Sequence, residues 1–144
     1  MIGSGNRTVS IKLTIPGEPV AQGRPRFAKG HAYDPQKSRD YKSYVGMMAA
    51  NQMRNNPPIA EPIRMTIKVY RPIPKSFSKK KCIKAETGDL RPTTKPDLDN
   101  YIKGIKDALK GIAWVDDSQV VEYGPSGKWY SVRPRVELSI EEVG

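Results

Sequence analysis

KPDLDNYIKGIKDALKGIAWVDDSQVVE, residues 95–122, decides how the rest of the chain is read. Its apolar residues Leu98, Tyr101, Ile102, Ile105, Ala108, Leu109 and Ile112 fall within one stripe of about 120° at helical spacing. Asp99, Lys103, Lys106, Asp107 and Lys110 fall on the other side. Pro96 suits a helix start, where its missing N–H costs nothing, and Gly111 suits a C-terminal stop. The spacing therefore predicts a helix over 97–110. Asp97 and Asp99 then occupy its first turn, where the helix dipole favours negative charge. After Gly111 the chain turns through Asp116-Asp117 into a strand, and a fold-back there would bring Asp117 near Asp99. Three carboxylates without His or Cys suit a hard cation such as Mg²⁺ or Mn²⁺. The alternative is plain capping and turn chemistry, in which these aspartates hold no ion.

Composition narrows the partners. The chain has 144 residues and a net charge of +10, which points to a polyanion and most simply to nucleic acid. Its carboxylates are nevertheless gathered in one stretch. Cys82 is the single cysteine, so an intrachain disulfide is excluded, and there is no Cys/His set for zinc. His31, the one histidine, reads as a loop residue. No apolar run reaches membrane-spanning length and no secretory leader is read, so a cytoplasmic location is expected. Residues 1–7 read as a loose end of a single domain.

Around the central stretch, Thr8–Ile15 alternates as a half-buried strand. Residues 16–34 read as a Gly/Pro-rich basic loop projecting Arg24, Arg26 and Lys29 toward phosphate. Asp34 reads as the N-cap and Pro35 as the first residue of a helix over 35–54, closed by Asn55-Asn56-Pro57-Pro58. Residues 62–71 read as a second strand. Residues 77–86 form a possible short helix in a run containing Lys79, Lys80 and Lys81, a candidate DNA-backbone contact or simply a solvated face. Residues 119–123, 128–132 and 136–140 read as strands. Gly124–Gly127 is either a hairpin turn or an irregularity in one long strand. The expected fold class is α+β (α/β-like): a single mixed β-sheet with helices packed on it.

The ordered set GRPRF (23–27), AYDP (32–35), KPDLDN (95–100) and DALKGIAWVDDSQV (107–120) resembles the RusA-type Holliday-junction resolvases of bacteria, phages and prophages. The resemblance implies a homodimeric endonuclease that nicks four-way DNA junctions symmetrically, in recombination and repair, with Mg²⁺ held by aspartates. Matched by position, it makes Asp97, Asp99 and Asp117 the catalytic metal-binding carboxylates, Lys103 a catalytic lysine and Asp116 a supporting acid. It places Arg24 and Arg26 near DNA. A non-catalytic DNA-binding protein and a nuclease for other branched DNA are the competing readings.

Overall fold

The computed structural model describes residues 9–24, 26–54 and 56–144. The expected loose end, 1–7, lies outside the described residues. In chain order the elements are β1 (Ser10–Pro16), β2 (Arg26–Ala28), β3 (His31–Tyr33), α1 (Gln36–Met53), β4 (Ile63–Pro72), α2 (Lys79–Thr87) and α3 (Leu98–Leu109). A 3-10 turn (Asp117–Gln119) then leads into β5 (Val120–Tyr123), β6 (Gly127–Ser131) and β7 (Arg135–Glu142). This is the expected α+β class.

Strict alternation makes β4 the middle of the sheet. Ile63, Met65, Ile67 and Val69 are each 0% exposed and share one face. That face packs with Leu13, Ile15, Val136, Leu138 and Ile140 against Tyr41, Val45 and Ala49 of α1 and Tyr101, Ile105 and Leu109 of α3, forming one core. The strand order is β1-β7-β4-β5, with β6 also on β4. β7 pairs antiparallel with both β1 and β4, whereas β5 and β6 pair parallel with β4. Parallel pairing needs a long crossover, which the stretch carrying α2 and α3 supplies.

Gly124–Gly127 is an interruption in one edge strand, not a hairpin. β5 runs beside Ile63–Met65 and β6 beside Lys68–Pro72. Between them the Ser126 hydroxyl accepts from Ile67 N (3.0 Å) and donates to Gly124 O (3.0 Å), replacing the missing ladder contact. At the opposite edge the Gln52 amide accepts from Thr14 N at 2.9 Å and donates to Thr14 O at 2.7 Å. On the sheet's outer face Arg91 lies 4.1 Å from the Trp129 ring, Trp129 stacks on Tyr70 at 5.8 Å, and Arg135 lies 3.9 Å from Tyr70. These cation–aromatic contacts tie the segment before α3 to the back of the sheet.

Three expectations are corrected. The basic loop holds the small antiparallel hairpin β2–β3, so His31 belongs to a strand. The second strand, expected over 62–71, runs Ile63–Pro72 and takes in Pro72 as its last residue. The N-cap of α1 is Pro35, not Asp34. Asp34 instead accepts from Lys42 Nζ (2.7 Å) and Gln22 Nε2 (3.1 Å), because a charged donor outcompetes a neutral backbone N–H.

Gly111 ends α3 as expected. Its φ is +83°, and its N–H donates to Trp114 O at 2.6 Å, closing the turn that aims the chain back at the sheet. Gly111→Ala keeps that N–H but strains the backbone. It should lower stability by about 1 kcal/mol, measured as a reduced urea midpoint with an unchanged slope. An unchanged midpoint would show that the turn tolerates a side chain.

Candidate active site

One face of α3 carries Asp99, Lys103, Lys106 and Asp107, at the three- and four-residue spacings that make helix neighbours. Across from it stand Asp117 of the 3-10 turn and Tyr123 of β5. Together with Ile102 they line a groove of about 430 Å³. The short route from α3 through Gly111 thus places Asp117 and Asp99 in the same groove.

Each half of the groove has its own anchor. Trp114 is 0% exposed, and its indole Nε1 donates to Asp117 Oδ1 at 2.8 Å. The buried indole needs an acceptor, and Asp117 is held in place by supplying it. Asp116 and Gln119 form a capping box: Asp116 Oδ2 accepts from Ser118 N (3.1 Å), and Gln119 Oε1 accepts from Asp116 N (2.7 Å). The Gln119 amide also donates to Ile59 O (2.7 Å) and Glu61 O (3.0 Å), locking the turn to the chain just ahead of β4. On the α3 side, Lys42 of α1 bridges Asp34 (2.7 Å) and Asp107 (3.2 Å). Burial works against the Lys42 charge, but its bonds to Asp34 and Asp107 hold its pKa above the ordinary lysine value. Lys106 Nζ donates to the Tyr123 hydroxyl at 3.2 Å and lies 5.7 Å from that ring's centre.

These anchors leave particular groups uncommitted. With Asp107 paired to Lys42, Lys103 makes no ion pair among the described residues, so its charge faces the groove unneutralised. Asp99 is likewise exposed in the first turn. Asp97 is the N-cap residue of α3, exposed, with no side-chain capping hydrogen bond, and it does not line the groove. Among the described residues no three carboxylates stand close enough to enclose a metal ion. Of the three that line the groove, Asp107 is paired to Lys42, and the other two, Asp99 and Asp117, still suit Mg²⁺, which commonly takes one or two carboxylates and completes its shell with water and phosphate.

The basic candidates lie elsewhere on the surface. Arg24 is exposed beside a second cleft, and Lys29 sits at the tip of the β2–β3 hairpin with φ +52°. The Arg26 side chain lies outside the described residues. Lys79, Lys80 and Lys81 are exposed in the first turn of α2, behind the Ser78 cap, with Lys81 5.4 Å from the Phe77 ring.

A family model described as "Endodeoxyribonuclease RusA" matches residues 16–141, which span the whole groove. The chain belongs to the RusA family. It is also 56% identical over 139 residues to "Uncharacterized protein YqaN" of Bacillus subtilis (strain 168), covering 92% of this chain and 96% of that protein. Within this RusA-family chain, the residues the sequence reading passed over are Trp114, Gln119, Lys42 and Tyr123. The D-x-x-Q capping signature at 116–119 was available as a signal. The Trp114–Asp117 bond joins residues three apart, but nothing in the sequence says where an indole N–H points.

Asp116 offers a direct check on the turn. Its pKa falls from 3.8 to about 2, chiefly through the Ser118 hydroxyl and backbone N–H, with Lys110 Nζ 3.3 Å away adding to the effect. A lowered folded-state value means that its stabilising contribution is present above about pH 4 and lost as pH falls toward 2. NMR titration should find the Asp116 midpoint near 2 and see it rise in Ser118→Ala. A wild-type midpoint near 4 would dismiss the hydrogen-bonded turn.

Proposed function

We propose that this chain is a Mg²⁺-dependent, structure-selective DNA endonuclease that resolves Holliday junctions by paired symmetric nicks. The observation that carries the reading is the groove where Asp99 and Asp117 meet an unpaired Lys103, on a chain of net charge +10. A pure DNA binder gains nothing from carboxylates placed against phosphate. Membership of an endodeoxyribonuclease family supplies the reaction class.

Asp99 and Asp117 would hold the Mg²⁺, or Mn²⁺; Asp97 lies outside the groove, and its side chain, free of a capping bond, would have to turn toward them to serve as the third carboxylate. Such a cation, when bound, supplies an activated water and neutralises charge on the phosphate. Lys103 opposes the negative charge that builds on the phosphate as the bond breaks. Asp116 keeps the turn in shape, and the Trp114 N–H fixes which Asp117 oxygen points into the groove. Arg24, Arg26, Lys29, Lys79, Lys80 and Lys81 bind the DNA backbone. Cations in the first turn of α2 oppose its dipole, a cost that contact with phosphate offsets. A homodimer suits the two-fold symmetry of a four-way junction, since paired nicks need two sites.

Two substitutions test the site from different sides. Asp99→Asn keeps the shape but removes the charge. It should bind a four-way junction like wild type and cut it about 100-fold more slowly, and Lys103→Ala should show the same split. Near-wild-type cutting by Asp99→Asn in Mg²⁺ would make these acids structural, and a wild type that never cuts would favour the binding module.

Trp114→Phe preserves most of the packing but removes the N–H. The Mg²⁺ concentration for half-maximal cutting should rise about tenfold, the scale of a lost partner to a metal ligand, with junction binding unchanged. An unaltered Mg²⁺ dependence would separate Trp114 from the site.

A further inference from the structure

A cleft of about 630 Å³, larger than the acidic groove, lies on the other side of the α3 N-terminus, between the segment leading to the β2–β3 hairpin, the start of α1 and the end of β4. Its size lies in the range of small-ligand sites, about 300–1,000 Å³.

Three cations from three different elements converge on the cleft: Arg24 from the loop, Lys37 from α1 and Arg71 from β4. Arg71 is steadied by the Thr94 carbonyl, to which its Nη1 donates at 3.1 Å. Among the described residues, Glu18 is the only carboxylate that lines it. The walls are apolar and flat, made of proline rings and Tyr130, which Phe77 braces edge-on at 5.5 Å. Tyr101 also lines the cleft. It is 3% exposed, and beside it Gln22, also in the lining, has a buried Oε1 with no hydrogen-bond partner among the described residues. Burial raises the Tyr101 pKa, with Arg71 and Glu18, both in the cleft wall, as the charges acting on it.

We propose that this cleft receives one unstacked nucleotide of a DNA strand, with its phosphate on Arg24, Lys37 and Arg71 and its base and sugar against Tyr130, the prolines and the Tyr101 hydroxyl. Cations outside and aromatic or apolar walls inside form the pattern by which single strands are held without sequence readout. A duplex is too wide to enter. Strands leaving the stack at the crossover of a junction can enter, so the cleft supplies preference for branched over linear DNA. This inference rests on the nuclease reading for its purpose but not for its binding chemistry.

The test compares wild type with Lys37→Ala plus Tyr101→Phe, a pair that leaves the core packing in place, checked by circular dichroism. Fluorescence anisotropy in EDTA measures binding to a labelled oligothymidylate and to a linear duplex. The double variant should lose about tenfold in affinity for the oligothymidylate while its duplex affinity changes by less than about twofold. Thymidine 5′-monophosphate should displace the oligothymidylate from wild type at concentrations where inorganic phosphate does not. Equal losses on both DNAs, no loss on either, or equal displacement by phosphate would each overturn the nucleotide site. Cutting of a junction by wild type in Mg²⁺ is scored separately. If wild type does not cut, the nuclease reading falls while the cleft is still judged on binding. If it cuts and the binding losses are absent, the cleft alone falls.

Discussion

The Trp114 indole is wholly buried, and its N–H must find an acceptor inside the fold. The acceptor is Asp117, so packing the core and orienting a groove carboxylate are one event. Much else follows from this bond. It needs the left-handed Gly111 to reverse the chain, the capping box to hold the 3-10 turn, and Gln119 to fasten that turn to Ile59 and Glu61. β5 then enters the sheet directly beside β4. The groove is therefore built on rigid elements, as a site that must hold charged groups in fixed positions requires.

A second constraint runs across the helices. Lys42 joins the chain ahead of α1 to α3 through Asp34 and Asp107. It engages Asp107, the groove carboxylate that could have neutralised Lys103 from the C-terminal side. The segment carrying Gln22 lies along α3, its N–H bonded to Asn100 O at 3.0 Å, where a side chain at Gly104 would come within 3.4 Å of that nitrogen. α3 is thus gripped on one face and left open on the other. The acidic groove and the basic cleft occupy opposite sides of its first turns.

Where one physical signal dominated, the sequence could be read well. The apolar stripe of α3 predicted a helix over 97–110 and the structure has Leu98–Leu109, because burying that stripe outweighs every competing local preference. The alternation in β4 and β7 was equally legible. The β2–β3 hairpin was not, since three-residue strands carry no periodicity. Asp34 looked like a cap, but a lysine two turns further on claimed it. Within the site, the grouping of the acids was legible only in part. Asp97 is the extended N-cap residue and stays outside the groove that Asp99 lines, even though the two share a motif. Asp117 is grouped with Asp99 by the fold-back, which the helix-then-strand order foreshadowed. What stayed hidden were side-chain directions: the Trp114 N–H, the reach of Lys42, and the Ser126 hydroxyl that bridges the broken edge strand.

The Gln52 amide at the far edge of the sheet has a consequence for how copies of the chain meet. By matching both the N–H and the C=O of Thr14, it impersonates one residue of a neighbouring strand. An edge already satisfied at its midpoint offers poor templating for another chain's backbone. A single side chain thus works against ribbon-like polymerisation through β1 and helps to keep the sheet finite.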